Sequence, residues 1–170
     1  ELWNVAALGL TEPVDDGPVT ATTWGRTRTW RNFRERGEGY VQFTRDPVDF
    51  AEAALSIREE SVPVLPSADA WVRVDVERLD AGEDGDTQWV EWALHPQKSA
   101  VEARVVPTTN RGHAAVVEAT VSGSRLAVPR YDRATVLGRL AYFESVVALV
   151  AGERERTAFR RVRELVDAEW

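Results

Sequence analysis

The chain has 170 residues, 44% hydrophobic and 29% charged, and 28 acidic against 21 basic residues leave a net charge of −7. Cysteine is absent, which excludes disulfides, thiolate nucleophiles, iron–sulfur clusters and cysteine zinc sites together. The acid excess speaks against nucleic acid as a partner, and no run approaches the roughly 20 apolar residues of a membrane span, so a cytoplasmic protein without a membrane partner is expected.

Leu2 to Leu10 opens with strand-like alternation, and Pro13 with Asp15, Asp16, Gly17 and Pro18 marks a turn. Val19 to Trp24 is an extended, β-branched run. Residues 25–36 are polar and arginine-rich, a loop entering a short helix that stops at Gly37. Tyr40 to Thr44 reads as another strand. Asp46-Pro47 starts a helix, the carboxylate capping free amides and the proline sitting where no donor is needed. That helix carries Phe50, Ala53, Ala54 and Ile57 at core-facing spacing, and a proline-marked link (Pro63, Pro66) follows.

Trp71 to Leu79 and Gln88 to His95 predict a hairpin, with Val72, Val74 and Val76 facing Val90, Trp92 and Leu94, and a linker Asp80 to Asp86 holding Gly82 and Gly85. Val101 to Val106 reads as one more strand, ended by Pro107. From Arg111 the period becomes helical: Ala114, Val117, Val121 and Leu126, with a break near Gly123. Val136, Leu140, Phe143, Val147 and Val150 form a second stripe, and Phe159, Val162, Leu165 and Val166 a third beyond Gly152. The pattern predicts a mainly β, barrel-like body with some helix over 1–126, followed by a helical hairpin over 127–170.

Thr20 to Asn32 concentrates polar chemistry: five threonines, three arginines and an asparagine within 13 residues. Hydroxyls, a guanidinium fork and helix-start amides are what a phosphate monoester needs; the same residues also suit an exposed threonine-rich edge strand with solvated arginines. Asn110-Arg111-Gly112-His113 is a second polar focus. Asn110 can cap a helix, and an arginine in a first turn opposes the dipole unless an anion or acid is near; a capped helix with a surface arginine fits equally. Trp24 and Trp30 flank the first segment and can cover a planar ring or fill a core. GxGxxG, GxxxxGK[ST] and G-x-S-x-G are absent, and His95 and His113 lack metal-site spacing, so no metal is expected. No catalytic residue stands out; Tyr40 and His113 are general acids only by default.

Five stretches carry a resemblance: Asn4 to Gly9 (NVAALG), Gly25 to Asn32 (GRTRTWRN), Tyr40 to Thr44, Asp46 to Leu55 (DPVDFAEAAL) and Asn110 to Val121 (NRGHAAVVEATV). They resemble domain-of-unknown-function family 447, mainly archaeal proteins with the FMN-binding split β-barrel fold, similar to flavin reductases. A single lysine (Lys98), a single isoleucine (Ile57) and the acid excess resemble haloarchaeal composition. The resemblance implies FMN in a groove between two subunits of a homodimer. By position, Arg26, Thr27, Thr29 and Asn32 would hold the phosphate and ribityl chain. Asn4, Ala6 and Ala7 would line the isoalloxazine, Thr22 and Thr23 would contribute, and Asn110 and Arg111 would close the pocket or the dimer.

Such proteins usually have a strand before the Asn4 segment, and with no initiator methionine at Glu1 the true start, and that strand, are expected upstream. The resemblance implies a cofactor without a substrate: an FMN-dependent oxidoreductase or electron carrier acting on an unidentified small molecule. Two alternatives stand beside it. One is a non-catalytic module binding another phosphorylated ligand, such as a pterin, nucleotide or deazaflavin; the other is an interaction protein docking through residues 131–170.

Overall fold

A computed structural model describes residues 2–13 and 15–170; Val14 of the expected Pro13-to-Pro18 turn lies outside them. The chain divides into two compact units, one running to Thr44 and resuming over Glu59–Arg104, the other made of Arg45–Arg58 and Val105–Trp170. The β-rich body and C-terminal helices follow the expectation. The dividing line does not fall at 126, because the helix after Asn110 packs with the later helices.

The first unit holds strands β1 (Trp3–Val5), β2 (Leu10–Thr11), β3 (Val19–Trp24), β4 (Glu38–Thr44), β5 (Arg58–Glu60, all but its first residue), β6 (Ala68–Asp84) and β7 (Thr87–Val101), with helix α1 (Arg28–Arg36) between β3 and β4. Five strands form an antiparallel sheet in the order β2-β3-β7-β6-β4, and β1 pairs with β5. The expected Leu2-to-Leu10 strand is thus two short strands separated by residues 6–9. Val101 closes β7, and no strand covers 102–106: the amides of Glu102 and Ala103 both donate to the Asp69 carbonyl, at 2.8 and 3.0 Å.

The hairpin is longer than its sequence signature. Pairing continues to Asp84 opposite Thr87, leaving Gly85 (φ 59°) and Asp86 as a two-residue turn of the kind in which glycine supplies a positive φ. The period-2 pattern holds in the core: Ala21, Val74 and Leu94 are buried, with Val19, Phe33, Val41, Val72 and Val76 against them. Burying a valine or leucine side chain is worth about 1.5–3 kcal/mol.

α1 sits at the end of β3. Thr27 caps it, its Oγ1 accepting from the Trp30 amide at 3.2 Å, and Gly37 at φ 69° closes it, donating to the Phe33 carbonyl at 3.0 Å. No α1 residue is buried. Phe33 ties the helix down with an edge-on contact to Trp92, ring centroids 5.5 Å apart.

The second unit is helical: α2 (Pro47–Leu55), α3 (Arg111–Arg125), α4 (Arg133–Val150) and α5 (Glu153–Leu165). α2 packs on α3 and α5, and α3 on α4 and α5. Asp46 caps α2 as expected, accepting from the amides of Val48 (2.9 Å) and Asp49 (3.1 Å). Its core face differs from the predicted one. Val48, Ala51 and Leu55 point inward, while Ile57 lies beyond the helix at 71% exposure.

α3 also turns another face than predicted, burying Gly112, Ala115, Val116, Ala119 and Thr120 rather than Ala114, Val117 and Val121. It continues through Gly123, where a Cβ would lie 2.7 Å from Val166 Cγ2. Small residues mark close approach of neighbouring elements, a signal that a search for bulky apolar residues overlooks. The stripes of α4 and α5 match at Val136, Leu140, Val147, Phe159 and Val162. Among the described residues no helix is long and apolar enough to cross a membrane.

Candidate functional site

β3 turns into α1 through Gly25, whose φ of 71° favours glycine and whose amide donates to the Gln88 carbonyl at 2.7 Å. That bond extends the β3–β7 ladder by one step and sets where α1 begins. With Thr27 Oγ1 used on Trp30 and the Thr27 carbonyl on the Arg31 amide (3.1 Å), the first helical amides, those of Arg28 and Thr29, point out of the helix end with the positive pole of its dipole. Asn4 of β1 reaches the same place, its Nδ2 lying 3.5 Å from Thr29 Oγ1. Residues 25 positions apart in sequence thus meet here; Ala6 and Ala7 follow β1 and are exposed.

The three arginines differ. Arg28 is ion-paired with Glu59 of β5. Arg26 is exposed and has no carboxylate partner among the described residues; its guanidinium carbon lies 6.0 Å from the Trp30 ring centroid, and that of Arg34 lies 4.6 Å from the same ring. Arg31 is exposed on the next turn, and Asn32 beside it is half-buried. The α1 start therefore offers an anion two free amides, two hydroxyls and an uncommitted guanidinium, in a chain that is otherwise net acidic.

The other expected residues have surroundings of their own. Thr23 is 4% exposed and its hydroxyl is committed, accepting from Trp92 Nε1 at 2.9 Å and donating to the Val90 carbonyl at 3.4 Å; it supports the sheet. Thr22, half-buried, alternates to the opposite face. Asn110 and Arg111 belong to the helical unit. Asn110 caps α3 through Oδ1, which accepts from the His113 amide at 3.0 Å, and its Nδ2 donates to the buried Glu155 at 2.8 Å. Arg111 is exposed. The buried acid suspected near this motif exists, and Asn110 is hydrogen-bonded to it.

Beside Arg26 opens a cleft of about 300 Å³ lined by Gly25, Arg26, Trp30 and, from the hairpin, Arg78, Gly82 and Trp89, with Ala81, Glu83, Gln88 and Val90 completing the wall. The hairpin residues were not foreseen as a site. The available signal is the register: a two-residue turn at Gly85-Asp86 puts Gly82 opposite Trp89. A Cβ at Gly82 would meet the Trp89 ring at 2.7 Å, so the indole lies against bare backbone.

Sheet, α1 and helical unit together define a mixed α/β protein: an antiparallel β portion carrying an anion-competent helix start, followed by helices. Residues 1–103 match the family described as "Protein of unknown function (DUF447) N-terminal domain", and residues 110–164 match its C-terminal counterpart, "Protein of unknown function (DUF447)". The chain belongs to this family. The crystal structure of an FMN-bound member from Methanosarcina mazei aligns with a TM-score of 0.78 at 22% identity, covering 94% of this chain and 86% of that one; the two share a fold.

Proposed function

We propose that this protein is an FMN-binding flavoprotein, working as a flavin-dependent oxidoreductase or electron carrier on a small-molecule substrate. We further propose that it is a cytoplasmic homodimer with the flavin at the subunit interface. The observation that carries the reading is the fold shared with an FMN-bound member of the same family along almost the whole chain.

The residues present fit the group. A phosphate monoester is satisfied by helix-start amides, hydroxyls and a guanidinium, and residues 26–29 at the start of α1 carry all three: the Arg28 and Thr29 amides, the Thr27 and Thr29 hydroxyls and the Arg26 side chain. In this reading Arg26, Thr27 and Thr29 hold the phosphate. Asn32 and Thr22 serve the ribityl chain, and Asn4 with Ala6 and Ala7 lies along the ring. Asn4 is positioned by its contact with Thr29, so ring site and phosphate site are built as one. Bound flavin supplies the electron-transfer chemistry, and the chain orients it and shields it from water.

The test has two halves. Protein incubated with FMN and desalted is expected to retain the yellow flavin absorbance, and the bound flavin to be reduced and reoxidised by added donors and acceptors without oxygen. Protein that leaves all FMN behind overturns the flavin reading. Bound FMN inert to every donor and acceptor overturns the redox half and favours a binding module.

A further inference from the structure

We propose that the cleft between the start of α1 and the β6–β7 hairpin is a nucleotide site, continuing from the flavin phosphate position and separate from the ring site. It shares Arg26 with the flavin reading and otherwise rests on residues that reading does not use.

Four features on the cleft wall point to one ligand chemistry. First, Arg26 and Arg78 both line it and neither has a carboxylate partner among the described residues, whereas Arg28 and Arg73 nearby in sequence pair with Glu59 and Glu38. Two unpaired guanidinium groups in one concavity attract a phosphate. Second, Trp30 and Trp89 line the same space, and an indole can stack on a heteroaromatic base.

Third, Glu83 is also on the wall, its Oε1 accepting from Gln88 Nε2 at 3.3 Å. A carboxylate there repels a bare anion but accepts from ribose hydroxyls or an exocyclic amine. Phosphate donors, ring faces and a sugar acceptor together complement a nucleotide better than an inorganic ion. Fourth, backbone geometry shapes the wall. The Gly25–Gln88 bond joins its two sides, Gly82 lets Trp89 lie against the strand, and the β6 register shifts between Arg78 and Asp80, a bulge of the kind that re-aims a neighbouring side chain. A volume of about 300 Å³ suits a mononucleotide-sized group.

The nucleotide can be free, or it can be the adenylyl half of a flavin dinucleotide whose flavin half occupies the FMN site. The experiment titrates the full-length chain with AMP, FMN and FAD separately, following tryptophan and flavin fluorescence. AMP is expected to quench tryptophan emission saturably. Arg78→Ala should weaken AMP by about tenfold or more, as for loss of a charge-assisted contact, while FMN affinity stays within about twofold. Arg78→Lys should recover part of the loss.

FAD binding well above FMN, with the advantage lost in Arg78→Ala, identifies the dinucleotide; equal FAD and FMN affinities identify a free nucleotide. Absence of AMP saturation into the millimolar range overturns the proposal. So does an Arg78→Ala protein with unchanged AMP affinity, or one weakened equally for AMP and FMN. AMP binding that depends on Arg78 in a protein that ignores FMN sustains the cleft and overturns the flavin reading; FMN binding without AMP binding does the reverse.

Discussion

Arg26 is exposed in a chain of net charge −7, yet no carboxylate neutralises it among the described residues. Its position one residue before the Thr27 cap puts its charge where the α1 dipole already favours an anion. Arg26→Ala should weaken FMN binding by about 1.5–3 kcal/mol, measured by flavin-fluorescence titration; an unchanged dissociation constant removes Arg26 from the phosphate site. Thr23 makes the opposite case. It sits in the same threonine-rich segment, but its hydroxyl serves Trp92. Thr23→Val should leave a buried indole N–H without an acceptor and cost about 1–3 kcal/mol in denaturant unfolding, with FMN affinity unaltered. Composition made the two threonine roles look alike, and only strand alternation combined with the position of Trp92 separates them.

Among the elements, those with chemical punctuation were legible in the sequence. Thr27 and Gly37 delimit α1, Asp46-Pro47 opens α2, and alternating valines mark β6 and β7. The α3 core face was not legible, because Gly112, Ala115, Ala119 and Thr120 form it and small residues leave little trace in hydrophobic periodicity. The hairpin wall of the cleft was hidden for another reason: it depends on strand register, which two candidate glycines left open.

The close approach at α3 carries its own prediction. A Cβ at Gly112 would lie 2.7 Å from Ala151 Cβ and 2.8 Å from its Cα, and backbone cannot swing aside. Gly112→Ala should therefore destabilise the helical unit by about 1–3 kcal/mol, read as a lower thermal midpoint; an unchanged or higher midpoint contradicts that packing.

For the whole molecule, pH enters through helix caps. Burial alone would raise the Asp46 pKa, but hydrogen bonds from Arg154 and from the Asp49 and Val48 amides outweigh it and hold the group below its ordinary value of 3.8. Hydrogen bonds from Thr135 likewise lower Asp132 at the start of α4. A carboxylate with a lowered folded-state pKa contributes stability that is present above its unfolded value and lost as pH falls through the folded one. The thermal midpoint should therefore fall as pH drops below about 3.8, and Asp46→Asn should flatten that fall while lowering stability near neutrality. A wild-type midpoint that holds steady through this range contradicts the capping account.

Ligand acts on the same global equilibrium, since FMN binding the folded state alone raises the apparent midpoint according to its affinity. The central claim is that the start of α1 is a flavin phosphate site. Comparing the affinities of FMN and riboflavin, which differ only by the phosphate, tests it most directly. FMN should bind at least about tenfold tighter, and Arg26→Ala should remove most of that difference. Equal affinity for the two flavins, or binding of neither, contradicts it.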